Sequence, residues 1–160
     1  MHQTERSRIM VLGVGSPYRS DDRAGFEVVD RLSSRCAGEN ISLRKTSDPV
    51  TVLLSMSEGP DTLIVVDALH SQPKEGVVQL ENPDLGELSE TAFFSTHQLG
   101  IEDGIGLGDT LDMLPEFILL YGIPGTDFSH GTCLSSTTEA FVDETVKELF
   151  TQLNMKQGVT

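Results

Sequence analysis

Positive charge is scarce in this chain. Its 160 residues carry 11 lysines and arginines against 25 aspartates and glutamates, a net charge of −14. Nonspecific nucleic-acid binding and adhesion to anionic membranes both need a positive field, so neither is expected. The acidity is read as a solubility device in preference to an acidic docking surface. Cysteine is nearly absent as well. Cys36 and Cys133 lie far apart without Cys-x-x-Cys spacing. That argues against a disulfide framework and fits a reducing, cytoplasmic setting. Residues 1–8 are polar, with no apolar signal-peptide region behind them. No apolar run approaches the ~20 residues that a membrane helix requires. Recognisable nucleophile motifs are missing too. There is no G-x-S-x-G and no H-E-x-x-H, and neither cysteine has a base placed beside it.

What is present is an ordinary globular composition, 38% apolar and 22% charged. The length suits a single domain over 1–160, with its core at about residues 9–153. Continuous apolar runs at Ile9–Leu12, Leu63–Val66 and Phe117–Leu120 read as strands buried on both faces, as in a parallel sheet. Ile41–Thr46 and Val77–Leu80 read as further strands, the latter at an edge. Phe26, Val29 and Leu32 recur at helical spacing, and Asp48-Pro49 reads as an N-cap followed by an N1 proline. Ser136-x-x-Glu139 reads as a capping box, ahead of a stripe of Val142, Val146, Leu149 and Leu153. Asn82–Thr91 is polar and is expected to be a loop. The fold expected is an α/β three-layer sandwich, a mostly parallel twisted sheet of about five strands with helices on both faces.

Leu99–Leu114 reads as a helix weakened by Gly100, Gly104, Gly106 and Gly108, either loosely held or partly loop. Two readings stand for it: a helix held by packing through Ile101, Ile105 and Leu111, or an element that adjusts when a partner docks.

The stretch Val11–Leu32, "VLGVGSPYRSDDRAGFEVVDRL", starts like a dinucleotide fingerprint and then departs from it. Tyr18 stands where the third glycine belongs, Pro17 sits in the turn, and the Walker lysine is missing. Asp21 and Asp22 suit a helix N-terminus but would repel a pyrophosphate. One carboxylate is enough for a cap. The second adds repulsion, and this leaves two readings, cap or cation ligand. In open α/β sheets ligands sit beyond the carboxyl ends of the strands. Asp22 follows the first strand, and Asp67 ends the run LIVVD with no basic partner nearby in sequence. His97 lies in a loop before the next helical segment. Two carboxylates and an imidazole would form an O,O,N site for nickel, zinc or a similar ion. His70 is a weaker candidate on the same edge, and His2 and His130 have no such context.

The motifs "GVGSPYRSDDRAG", "LIVVDAL", "STHQLG" and "ILLYGIPG" resemble those of the [NiFe]-hydrogenase maturation endopeptidases over about Ile9–Leu153. The resemblance implies that Asp22, Asp67 and His97 bind a metal and carry the catalytic role. It implies a protease that removes the C-terminal extension of a hydrogenase large-subunit precursor once nickel is inserted. The nickel would be supplied by the precursor and would be the recognition signal, with no organic cofactor. The partner would be that precursor, met by a monomer in a transient complex. Two positions depart from the family pattern: Ser16, where asparagine is usual, and Arg23, often glycine. Ser16 is expected to keep the turn, and Arg23 to ion-pair with one member of the acidic pair. Water is left as the attacking group, activated by a metal or by a free carboxylate. Two other readings use the same residues. One is a noncatalytic nickel-binding or nickel-delivery module. The other is a small-ligand domain whose acids are structural caps.

Overall fold

The structure, a computed structural model, describes residues 7–36, 38–56, 59–70, 76–91 and 100–157. Five strands form one sheet: β1 (Ile9–Val14), β2 (Ile41–Thr46), β3 (Thr62–His70), β4 (Val78–Glu81) and β5 (Phe117–Gly125). Their order is β2-β1-β3-β5-β4. All neighbours are parallel except β4, which runs antiparallel to β5 at one edge. The helices are α1 (Ala24–Ser33), α2 (Pro49–Leu54), α3 (Leu85–Glu90), α4 (Ile101–Thr110) and α5 (Ser136–Gln157).

The central strands are apolar at every position because side chains alternate between two cores. Val11, Ile64 and Val66 face one core, with Val28 and Leu32 of α1 and Val146 and Leu149 of α5. Leu12, Leu63 and Val65 face the other, with Leu53 of α2, Leu88 of α3 and Ile105 of α4. The expected three-layer sandwich is therefore the one observed. The stripe of Val142, Val146, Leu149 and Leu153 is buried along its whole length. Strand β2, at the other edge, alternates Ile41 and Leu43 inward with polar residues outward. Its Lys45 pairs with Asp30 at 2.7 Å, and a charge on an edge strand discourages pairing with other chains.

Two local expectations need correction. Asn82–Thr91 contains a helix, α3, rather than only loop. Its short length is fixed by a capping box: the Asp84 carboxylate accepts the Glu87 N–H at 2.8 Å, while Glu87 reaches back to the Asp84 N–H. Leu88 anchors it in the core.

At α5 the cap falls one residue earlier than expected. Ser136 is already helical, the Ser135 carbonyl accepts the Glu139 N–H, and the Glu139 carboxylate pairs with Arg31 instead of closing a box. In α4, the glycines are packing positions. A Cβ on Gly104 would lie 2.6 Å from Leu53 Cδ1, and one on Gly108 would lie 2.4 Å from Leu114 Cδ2. These contacts favour the packing reading for this helix. Among the described residues no helix is long and apolar enough to cross a membrane.

Candidate metal and acid-base site

The chain leaves β1 through a turn that only glycine tolerates. Gly15 has φ of +156°, and a Cβ there would sit 2.0 Å from the Asp22 carbonyl oxygen. The Ser16 N–H donates to that same oxygen at 3.2 Å, and the Asp22 N–H donates to the Arg19 carbonyl at 3.0 Å. Ser16 Oγ holds the Tyr18 N–H at 3.4 Å, so it does keep the turn. A 3-10 turn, Ser20–Arg23, then leads into α1. Its first residue, Ser20, is held at φ of 47°, an uncommon conformation outside glycine. The Ser20 N–H and hydroxyl are both spent on the loop after β5, donating to the carbonyls of Gly131 and Ser129. Backbone strain fixed by surrounding contacts is a frequent property of functional loops.

Gly25 brings the start of α1 against the sheet. A Cβ there would lie 2.3 Å from the Val66 carbonyl oxygen. Val66 immediately precedes Asp67, so this close approach sets the first turn of the helix beside the carboxyl end of β3.

The two tandem acids do opposite work. Asp21 is fully buried and saturated with donors. Its Oδ2 accepts the N–H groups of Thr126 and Asp127, each at 2.9 Å, and the Ser135 hydroxyl at 2.8 Å. Its Oδ1 accepts the Ser135 N–H at 2.7 Å. Burial alone would raise its pKa. The hydrogen bonds from Ser135, Asp127 and Thr126 outweigh that and hold it below the usual carboxylate range. Asp21 is therefore a clamp between the first loop and the β5–α5 loop, and neither helix cap nor free ligand.

Asp22 is 2% exposed, and its Oδ2 has no hydrogen-bond partner among the described residues. Burial pushes its pKa up to about 7, with the Arg19 guanidinium pulling weakly the other way. Asp67, 3% exposed, has a single hydrogen-bond partner among the described residues, the Ala68 N–H at 2.8 Å from its Oδ1. Burial, and then the charge of Asp22, raise Asp67 well above the ordinary range. Neither acid forms an ion pair with a described residue. Two mutually repelling carboxyls, both buried and poorly satisfied, are an arrangement that a cation or a shared proton relieves. Their oxygens suit a divalent ion as two of its ligands.

Arg23 does not join this pair, as its sequence position had suggested. Its Nη1 donates to the Pro17 carbonyl at 2.6 Å and its Nη2 to Glu27 Oε1 at 3.0 Å, one helical turn on. His97 lies outside the described residues, as does His2. His70 ends β3, its ring 5.3 Å from that of Phe128, and His130 is exposed on the β5–α5 loop. Among the described residues no group of three or more His, Cys, Asp or Glu is set to hold a metal, so Asp22 and Asp67 stand as a pair. The clamp role of Asp21 was not read from the sequence. No local pattern signals it, because its partners lie 105 to 114 residues further along the chain.

The family model of the HycI hydrogenase maturation proteases matches residues 47–152, a span that includes Asp67 but not Asp22. The hydrogenase expression/formation protein HupD of Bradyrhizobium diazoefficiens is 27% identical over 126 residues, 78% of this chain and 66% of that protein. The hydrogenase 2 maturation protease of Escherichia coli K12 is 24% identical over 148 residues, 91% of this chain and 90% of its own. Among solved structures, an Escherichia coli endopeptidase superposes with a TM-score of 0.77 at 23% identity, covering 95% of this chain and 94% of its own. The Escherichia coli hydrogenase maturating endopeptidase HybD does so with a TM-score of 0.71 at 22% identity, covering 94% of each chain. At such identities the structural likeness speaks for the fold. The family match, covering well over half the chain, speaks for kinship: the chain belongs to the hydrogenase maturation protease family.

Proposed function

We propose that this protein is a processing endopeptidase that removes a C-terminal extension from a hydrogenase large-subunit precursor after nickel has been inserted. In this reading Asp22, Asp67 and His97 engage the precursor's nickel, which marks the substrate as ready for cleavage. The enzyme works as a monomer in the cytoplasm, in a transient complex with the precursor, and needs no organic cofactor. The observation that carries the reading is the pair of buried acids. Asp22 Oδ2 has no hydrogen-bond partner among the described residues, and Asp67 carries a burden of burial and like charge. No described residue forms an ion pair with either acid, an arrangement that a cation relieves.

The same acids can move protons. A carboxyl with its pKa at about 7 is half ionised near neutrality, where a general base is most useful. In the alternative in which Asp22 stays free of the nickel, it is the base that takes a proton from water while the oxygen attacks the scissile carbonyl. The peptide C–N bond then breaks, and the proton passes to the leaving amine. Nickel on the precursor would supply Lewis acidity to the same reaction.

The test is incubation of the protein with nickel-loaded precursor, followed by mass spectrometry. Loss of the tail is expected with the parent, and none with Asp22→Asn or Asp67→Asn. An intact precursor alongside transferred nickel would instead support a delivery module.

A further inference from the structure

The end of β5 away from the acid pair carries a concavity. It is an open cleft of about 680 Å3 between the start of α3, the end of α4 and the start of β5. Its walls include Leu85, Ile105, Leu114 and Pro115. Leu85 is 52% exposed, so the cleft presents an apolar side chain that the fold leaves open to solvent.

The rim is formed by Asp84, Asp109, Asp112 and Glu116. None of the four forms an ion pair with a described residue. Asp109 sits in the last turn of α4, where the helix dipole disfavours a negative charge, and Asp112 and Glu116 follow close behind. No described cation relieves this local repulsion. These acids are not set around a point, since no metal-holding cluster is found among the described residues. Relief by an extended cation fits them better than relief by an ion.

We propose that this cleft is a docking site for a cationic polypeptide segment of a partner protein, one that carries an apolar side chain between basic ones. The apolar anchor lies against Leu85 and Leu114, and the flanking lysines or arginines meet the acidic rim. A second copy of this chain is a poor occupant. With 25 acidic residues against 11 basic ones, it has little positive surface to offer. The proposal does not rest on the cleavage reading. The cleft lies by Glu116 and Ile118 at the start of β5, whereas Asp67 pairs with Gly122 further along, so both sites can be occupied at once.

The probe is a short fluorescent helical peptide with leucine on one face and lysine on the other. Its binding is read by anisotropy at physiological ionic strength and mapped by amide chemical shifts. Binding should shift resonances of α3 and α4. Asp109→Lys with Glu116→Lys should weaken it about tenfold or more, and Leu85→Ala several-fold. All three positions are exposed, so the fold should survive, as circular dichroism will check. Glu39→Lys with Glu144→Lys changes net charge equally but away from the cleft, and should weaken binding less than about twofold. Equal weakening by both lysine pairs would overturn the proposal. So would shifts centred elsewhere, or an absence of binding to the parent.

Discussion

Replacing Asp22 by asparagine should make the protein more stable while removing its proposed activity. The amide keeps the shape of the side chain but cannot ionise. In the parent, the Asp22 pKa rises from 3.8 to about 7 on folding. A raised carboxyl binds its proton more tightly in the folded state. The stability that this lends is complete below pH 3.8 and is lost as pH climbs through about 7. Each pKa unit is worth ~1.36 kcal/mol, so the parent above pH 7 forgoes about 4 kcal/mol relative to acid. The buried amide has a desolvation cost of its own, on the order of 1–2 kcal/mol, which leaves a net gain of about 2–3 kcal/mol. For a chain of this size that is a rise in Tm of about 4–12 °C. The assay is thermal unfolding of both proteins at pH 8 and at pH 4.5, with chelator present so that no adventitious cation stabilises the parent. The advantage of Asp22→Asn should be clear at pH 8 and small at pH 4.5. An asparagine variant less stable than the parent at pH 8 would refute the reasoning, because it would mean that the carboxylate is satisfied in the fold.

Three further outcomes are expected. Asp21→Ala should cost about 3–5 kcal/mol in denaturant unfolding, because it strands the N–H groups of Thr126, Asp127 and Ser135. Asp21 also has a lowered pKa, so its contribution should be present above the ordinary carboxylate range and fade as pH falls through its folded value, the reverse of Asp22. Gly25→Ala should destabilise by more than the ~1 kcal/mol that alanine normally gains in a helix, since its Cβ would meet the Val66 carbonyl at 2.3 Å. Gly104→Ala should lower the Tm despite better helix propensity, whereas Gly106→Ala, facing only Leu85 Cδ2 at 3.3 Å, should be near neutral.

The sheet was legible in the sequence because burial on both faces leaves continuous apolar runs, as in β3 and β5. The Asp48 cap was legible because Asp-Pro is a local signal, and its carboxylate does accept the Thr51 N–H at 3.1 Å. Helix α3 was missed although Asp84 and Glu87 stand at capping-box spacing, because Leu88 is its only buried apolar residue. Arg23 was paired with the wrong acid, although Glu27 stands one turn away on the same helix face. The division of labour between Asp21 and Asp22 was out of reach from sequence. It depends on hydrogen bonds spanning 105 to 114 residues, which no local pattern encodes. Of the proposed ligands, Asp22 and Asp67 are both buried, but Asp67 does not end its strand: pairing with β1 stops at Val66, while β3 runs on beside β5 to His70.

The central claim is that the buried acid pair serves a nickel-dependent cleavage. The most direct measurement is single-turnover processing of one precursor in nickel-loaded and nickel-free form, by metal-stripped parent and by Asp22→Asn and Asp67→Asn, followed by intact-mass spectrometry. The account predicts tail removal only for parent with loaded precursor, with both variants folded and inactive. Cleavage of loaded precursor at the parent rate by either folded variant, or efficient cleavage of nickel-free precursor by the parent, would contradict it.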